Sequence, residues 1–199
     1  VHISNLFHNP YQGPLASKLA AWSGLDRVFF TNSGTEAVDG ALKLARAYAH
    51  AKAGGVPTPK TRILALENSF HGRTLGAISI TGQPKYRKDF EPLLPGVRFV
   101  RSNDMEALLQ AVSERTAGIV IEWIQGEGGI NPMTTEFAWK ARELADRYNA
   151  LLVFDEIQCG VGRPGTHFAY QMAEPAILPD IMVAAKPLAC GIPLGVIVA

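Results

Sequence analysis

Short apolar runs alternate along the chain with longer segments whose apolar residues recur at helical spacing. An apolar run that contains no polar partner is typical of a strand buried on both faces of a sheet. The alternation therefore predicts an α/β fold with a mostly parallel sheet. Eight segments are predicted as strands, namely residues 27–31, 62–67, 77–80, 97–100, 118–121, 151–154, 181–184 and 194–198.

Four helices are predicted between these strands. The segment 35–52 carries Ala37, Ala41 and Leu44 at helical spacing. The sequence Asn103-Asp104-Met105-Glu106 is a capping-box pattern that opens another helix, and helices are also expected over 14–22 and 136–148. Residues 54–59 are predicted as a surface loop and residues 70–86 as a loop over the site. Neither repeats nor a domain linker interrupt the pattern, which indicates one domain.

An acid and an amine each follow an apolar run. Asp155 comes directly after residues 151–154, and Lys186 comes shortly after residues 181–184. Ligands of open parallel sheets bind just beyond the carboxyl ends of the strands, so both side chains are expected at one edge of the sheet, facing a crevice. A lysine that forms a Schiff base, beside a carboxylate that protonates a pyridine nitrogen, is the arrangement that pyridoxal phosphate chemistry requires. Taken singly, Asp155 could cap a helix and Lys186 could be a surface lysine.

Small polar residues occupy the turn between the first strand and the helix 35–52. Ser33, Gly34 and Thr35 would let backbone N–H groups and a hydroxyl approach an anion, and the helix N-terminus favours negative charge. This turn suits a phosphate monoester, although an ordinary N-cap explains the same residues. It lacks the GK[ST] ending of a nucleotide-binding P-loop, so ATP binding is not predicted.

Two further strand ends carry candidate binding residues. Phe70 could stack on a planar ring and Arg73 could hold a carboxylate, whereas a packed phenylalanine and a solvated arginine are the alternative. Glu122 and Glu127 lie in a glycine-rich stretch and could line a polar crevice, or simply be a strand end and a solvated loop. Because the fold gathers strand ends, the separate signals combine into one predicted cofactor site.

Composition and charge narrow the class of protein. The 199 residues are 47% apolar and 19% charged, as in ordinary globular proteins, and the formal net charge of +1 gives no reason to expect nucleic acid or a membrane as partner. Cys159 and Cys190 are too few for a disulfide scaffold and fit a reducing cytoplasm. The five histidines show no paired ligand spacing, so no metal site is predicted. A first residue other than methionine and an apolar C-terminal run suggest the central piece of a longer polypeptide.

Five motifs occur in an order that resembles a known family. They are NSGTEA, SFHGRT, IQGEGG, LLVFDEIQCGVGR and the lysine in AAKPLACGIPLG. With them the whole chain resembles the class III (ornithine-type) aminotransferases of pyridoxal-phosphate fold type I. The resemblance implies a mostly parallel seven-stranded sheet flanked by helices, with residues 1–199 forming a large cofactor-binding domain. It also implies a cytoplasmic homodimer.

The resemblance assigns a role to each site residue. The amino group would pass from an amino donor to 2-oxoglutarate, with the terminal amine of N-acetylornithine as the expected donor, in arginine biosynthesis. Ornithine or 4-aminobutyrate are alternative donors, and a non-catalytic fragment that binds a cofactor or partner is the alternative of another class. The implied roles are phosphate binding by Ser33, Gly34 and Thr35, ring stacking by Phe70, pairing of Asp155 with the ring nitrogen, proximity of Gln158 to the ring hydroxyl, Schiff-base formation by Lys186, and substrate binding by Arg73 and Glu127.

Three positions depart from the family pattern. Trp123 stands where the family usually has proline, and Pro164 interrupts the usual GRTG. Leu188-Ala189-Cys190 replaces a glycine-rich stretch after Lys186. None of the three removes a predicted catalytic group, but the last is expected to reshape a wall of the pocket.

Overall fold

The computed structural model describes residue 4 and residues 6–55 and 59–199. Within these ranges the helices are α1 (Gln12–Ser23), α2 (Gly34–Lys52), α3 (Leu75–Ser79), α4 (Pro84–Arg87), α5 (Met105–Ala111) and α6 (Thr135–Tyr148). The strands are β1 (Val28–Thr31), β2 (Arg62–Leu66), β3 (Val97–Val100), β4 (Thr116–Ile121), β5 (Ile124–Gln125), β6 (Asn131–Pro132), β7 (Leu151–Asp155), β8 (Ile181–Ala184) and β9 (Gly195–Val198). Short 3₁₀ turns cover Lys88–Phe90, Ala169–Met172 and Lys186–Ala189.

Seven strands form one sheet, in the order β1-β9-β8-β7-β4-β2-β3. Strand β9 runs antiparallel to both β1 and β8, and the remaining neighbours pair in parallel. The small pair β5 and β6 forms a separate antiparallel ribbon. The predicted mostly parallel seven-stranded sheet is therefore confirmed.

The central strands of the sheet are buried on both faces, as their apolar runs predict, whereas the edge strands β1 and β3 are partly exposed. Every residue of β4 and β8 is buried. On one face α2 and α3 pack against the sheet, and on the other α1, α5 and α6 do so, giving two separate apolar clusters. The result is a three-layer α/β arrangement in which both faces of the parallel strands exclude water.

Side chains cap the starts of two helices. Ser33 begins α2 by accepting a hydrogen bond from the N–H of Glu36. Asp104 begins α5 by accepting from the N–H of Ala107, so the predicted capping box, with Asn103 as the cap and Glu106 three residues later, was wrong by one residue. All four predicted helices are present. Of the predicted loop 54–59, residues 56–58 lie outside the described part of the chain.

The prediction of a strand over residues 77–80 was wrong. This segment lies in and directly after helix α3, where the N–H of Ile78 donates to the carbonyl of Thr74. Ala77 and Ile80 pack into the apolar cluster beneath α2, and Gly76 lets α3 approach that helix, since a Cβ there would lie 1.9 Å from Asp39 Oδ1. Four apolar and small residues fit either a short strand or a short helix, so packing against α2 decides between them. The predicted loop 70–86 accordingly contains the two short helices α3 and α4.

The topology brings the carboxyl ends of β1, β2, β4, β7 and β8 to one edge of the sheet. Each of these strands is followed by one of the segments that carry candidate site residues. The expected gathering of strand ends is thus present in the fold.

Candidate active site

A cavity of about 520 Å³ opens at this edge of the sheet. Its wall contains residues from the turn after β1, the loop after β2, and the segments after β4, β7 and β8. Every predicted site residue except Glu127 lines it, namely Ser33, Gly34, Thr35, Phe70, Arg73, Asp155, Gln158 and Lys186.

The turn before α2 presents a helix N-terminus to this cavity. Ser33 caps the helix, and the carboxylate of Glu36 accepts hydrogen bonds from the backbone and side-chain amides of Asn32. The first N–H groups of a helix have no partner within it, so those of Gly34 and Thr35 remain available at the cavity wall. Gly34 also fits tightly, because a Cβ there would lie 2.8 Å from the side chain of Ile157. The capping role and the capacity to bind an anion therefore coexist in one turn.

Asp155 is buried and held on both carboxylate oxygens. Its Oδ2 lies 2.7 Å from Nδ1 of His71, and its Oδ1 accepts from the N–H of Ile157 at 3.0 Å. These two contacts fix the direction of the carboxylate. An oriented, buried carboxylate at the cavity wall can pair with a cationic ring nitrogen of a ligand.

His71 is the main site residue that the sequence reasoning missed. Its sequence spacing excludes it only as a metal ligand, and in the fold it is fully buried against Asp155. Burial alone would lower its pKa, but the hydrogen bond and charge of Asp155, with the charge of Glu122, raise it above the usual 6.5. Its place next to Phe70 in a loop after a strand end was the available signal.

Glu122 lies beneath the same loop. Burial, together with the charge of Asp155, raises the pKa of Glu122 to about 7, although the charge of His71 opposes this change. Its Oε2 accepts the N–H of Phe70 at 3.1 Å, and the positive charge of Lys186 also acts on it. Glu122 thus belongs to the site as a partner of the loop, whereas the sequence left its role open.

Lys186 follows β8 and lies exposed at the start of a 3₁₀ turn. It lines the same cavity as Asp155 although the two residues come from different strands. An accessible amine and a buried carboxylate therefore share one cavity, which is the arrangement predicted from the two strand ends.

Phe70 and Arg73 lie on the loop after β2. The ring of Tyr86 contacts both, edge-on to Phe70 with centroids 5.3 Å apart and 5.9 Å from the guanidinium carbon of Arg73. The exposed guanidinium of Arg73 therefore has an aromatic neighbour, and Arg73 also lines the cavity. A guanidinium in this position can bind a carboxylate with two hydrogen bonds.

Gln158 and Glu127 differ in position. Gln158 lines the cavity and its amide packs over Gly126, where a Cβ would lie 1.5 Å from Gln158 Oε1. Glu127 is exposed in the turn between β5 and β6 and does not line the cavity. Its role in substrate binding stays a prediction.

The three departures from the family pattern have distinct environments. Trp123 is buried and packs edge-on against Phe154, so it extends the core on the side away from the cavity. Cys190 adopts a left-handed backbone with φ of 50°, a conformation that glycine adopts at less cost. Pro164 lines a second, smaller cavity beside Gln158.

Two further observations concern the described residues as a whole. In residues 4, 6–55 and 59–199, His, Cys, Asp and Glu side chains form no group of three or more suited to a metal ion. Over the same ranges, each helix is too short or too polar to cross a bilayer.

Comparison with known proteins identifies the family to which the chain is similar. The family model for class-III aminotransferases matches residues 1–199. The acetylornithine aminotransferase of Neisseria meningitidis serogroup B is 51% identical over 198 residues, covering 100% of this chain and 48% of that protein. The chain spans about half the length of the curated relatives it matches.

Solved structures give the same result. The N-acetylornithine aminotransferase of Stenotrophomonas maltophilia superposes with a TM-score of 0.81 at 36% identity, covering 100% of this chain and 48% of that one. Two structures of ornithine aminotransferase from Toxoplasma gondii superpose with TM-scores of 0.90 and 0.89 at 32% identity, over 99% of this chain and 47% and 46% of theirs. One of those two contains pyridoxal phosphate at partial occupancy in its active site. The predicted fold type I architecture is confirmed, and the chain belongs to the class-III aminotransferase family.

Proposed function

We propose that this chain is the pyridoxal-phosphate-binding large domain, residues 1–199, of an aminotransferase that moves the terminal amino group of N-acetylornithine to 2-oxoglutarate. The observation that carries the proposal is one cavity shared by a helix N-terminus, the buried carboxylate of Asp155 and the amine of Lys186. The 51% identity to an acetylornithine aminotransferase supports the choice of donor.

The residues present fit this cofactor. The available amides of Gly34 and Thr35 and the hydroxyl of Ser33 suit a phosphate, because the helix dipole adds to their hydrogen bonds. Phe70 offers an aromatic face at the cavity wall, and Gln158 offers a side-chain amide for a ring hydroxyl. When bound, pyridoxal phosphate supplies an electron-accepting ring that stabilises negative charge on the substrate carbon.

Asp155 and Lys186 carry the chemistry that the protein itself contributes. Asp155 would pair with the protonated ring nitrogen, because His71 and the amide of Ile157 hold its carboxylate in place. The Nζ of Lys186 would hold the cofactor. Once a substrate amine had taken its place, the free Nζ would take the proton from the substrate carbon as general base and deliver it to the cofactor's aldehyde carbon as general acid.

Arg73 and Glu127 are the proposed substrate-binding residues. The guanidinium of Arg73 at the cavity wall suits a substrate carboxylate, and the exposed Glu127 is accessible to a basic residue outside this chain. We further propose a cytoplasmic homodimer, which family membership supports.

Covalent attachment of the cofactor at Lys186 tests the proposal. Adding pyridoxal phosphate to the complete native polypeptide should produce a visible absorbance band, and borohydride reduction should fix the cofactor on the peptide that carries Lys186. Lys186→Ala should lose both signals. Lys140→Ala is the matched control, since Lys140 lies on α6, where it pairs with Glu143. Attachment at another lysine, or an unchanged band in Lys186→Ala, would refute the assignment.

The donor is tested separately, by comparing kcat/KM for N-acetylornithine, ornithine and 4-aminobutyrate with 2-oxoglutarate as acceptor. The ornithine aminotransferase structures at a TM-score of 0.90 make ornithine the specific alternative. N-acetylornithine is expected to give the highest value. A higher kcat/KM for ornithine would keep the cofactor chemistry and replace the donor.

A further inference from the structure

In the loop Ser69–Thr74, which carries Phe70 and Arg73, four backbone N–H groups donate to side chains of other segments. In its first half, the N–H of Phe70 donates to Glu122 Oε2 at 3.1 Å, and the N–H of His71 donates to the buried Thr81 Oγ1 at 3.0 Å. The loop conformation is therefore set by the residues around it rather than by its own turns.

In its second half, the loop depends on one hydroxyl. Thr35 Oγ1 accepts from the N–H of Arg73 at 3.1 Å and from the N–H of Thr74 at 3.2 Å. It also lies 3.0 Å from Thr74 Oγ1. A hydroxyl has two acceptor sites and one proton. Because the two amides fill the acceptor sites, the proton is left for Thr74 Oγ1, and the whole hydroxyl is used by the loop.

The loop also rests directly on Thr35 at Gly72. A Cβ at Gly72 would lie 2.2 Å from Thr35 Oγ1 and 2.6 Å from Thr35 Cβ, and Gly72 has φ of 125°. Glycine is required here both for the close approach and for the backbone angle. The contact leaves no room for the loop to shift against the start of α2.

The backbone and the side chain of Thr35 therefore contact different parts of the site. Its backbone amide is at the N-terminus of α2, at the cavity wall, while its hydroxyl holds the two residues that position the guanidinium of Arg73. We propose that Thr35 is a positioning residue, whose hydroxyl couples the phosphate-binding turn to the arginine loop. This inference rests on the proposed function, in which the turn binds the cofactor phosphate and Arg73 binds the substrate carboxylate. Coupling of this kind is reciprocal, so substrate carboxylate and cofactor phosphate strengthen each other's binding by the same factor.

Hydrogen exchange and kinetics of Thr35 variants in the complete native polypeptide test the coupling. In Thr35→Val the amides of Arg73 and Thr74 should exchange about tenfold faster without cofactor, because both lose their acceptor. At saturating pyridoxal phosphate, the KM for 2-oxoglutarate should rise about tenfold, with a smaller change in kcat. Thr35→Ser keeps the hydroxyl and should restore both values. Thr134→Val, which removes the capping hydroxyl of α6, is the control and should change neither.

Three outcomes would overturn the coupling. The first is unchanged exchange at Arg73 and Thr74 in Thr35→Val. The second is weaker cofactor binding with an unchanged KM at saturation, which would make the Thr35 hydroxyl a phosphate ligand only. If Thr35→Val does not fold, Gly72→Ala disturbs the same contact from the loop side, and unchanged exchange there is the third. The exchange measurement needs no cofactor, so it separates this inference from the proposed function, which fails if the unmodified protein shows no absorbance band.

Discussion

Replacing Glu156 by glutamine is expected to stabilise the fold at alkaline pH far more than at acidic pH. Glu156 follows β7 and is 1% exposed. Its Oε1 accepts the N–H of Tyr170 at 3.1 Å, while its Oε2 is buried and has no partner in the described residues. Burial raises its pKa to about 7 from its usual 4.5, although backbone N–H groups of Ala169 and Tyr170 oppose the change.

The direction of this pH effect on stability follows from proton binding by Glu156 in the folded and the unfolded chain. Below pH 4.5 the carboxyl is protonated in both folded and unfolded chains and contributes no pH dependence. Between pH 4.5 and about 7 the unfolded chain ionises while the folded chain keeps its proton, so stability falls as the pH rises. Each pH unit in this window is worth about 1.36 kcal/mol, which gives about 2–3 kcal/mol between pH 5 and pH 8. Glutamine does not ionise and avoids this loss.

Urea unfolding followed by tryptophan fluorescence, at pH 5 and pH 8, measures the effect. The stability of Glu156→Gln relative to the unmodified protein should rise by about 2–3 kcal/mol from pH 5 to pH 8. The unpaired amide of the glutamine lowers stability equally at both pH values, so it does not affect the change between pH 5 and pH 8. Glu122 and His71 titrate in both proteins, so their contributions cancel as well. Glu143→Gln on the surface of α6 is the control and should give no comparable gain. A stability difference that is equal at the two pH values would refute the argument that Glu156 is protonated in the folded state.

Two other predictions follow from the site and its glycines. Asp155→Ala should lower kcat by about 10²–10³-fold while cofactor absorbance remains, because it removes the group that holds the ring proton; turnover at the normal rate would contradict that role. Gly82→Ala should lower the free energy of unfolding by about 1–3 kcal/mol or more, since its Cβ would lie 2.1 Å from the rigid Leu66 carbonyl. Gly126→Ala should lower stability much less, because only the flexible end of Gln158 must move. Thermal unfolding of the two glycine variants measures the difference, and equal losses of stability would contradict the packing described here.

Much of the fold could be predicted because its signals are local. Uniformly apolar runs such as β4 and β8 indicate strands buried on both faces, and polar residues such as Ser33 and Asp104 mark helix starts. Residues 77–80 show where local signals fail. Their short apolar pattern fits two structures, and contact with the separate helix α2 decides for a helix.

The candidate site, like the fold, could be predicted from the sequence only in part. Asp155 and Lys186 could be named in advance because each follows a recognisable buried strand and the fold gathers strand ends. The partner of Asp155 could not, because His71 is 84 residues away in sequence. Likewise the pKa of about 7 at Glu122 depends first on burial, which arises only after the loop, β4 and β7 have packed together.

The amino-acid sequence alone determined the fold class, most of the strands and helices, the family motifs and the edge of the sheet where the candidate site lies. Apolar periodicity and small-residue turns act over a few neighbouring residues, so they can be read without a structure. Only the tertiary structure decided which groups are buried together. It decided that the Thr35 hydroxyl supports the arginine loop, and that Glu122 and Glu156 are held with raised pKa values. These properties depend on desolvation and on hydrogen bonds between distant segments, both of which exist only once the chain has folded.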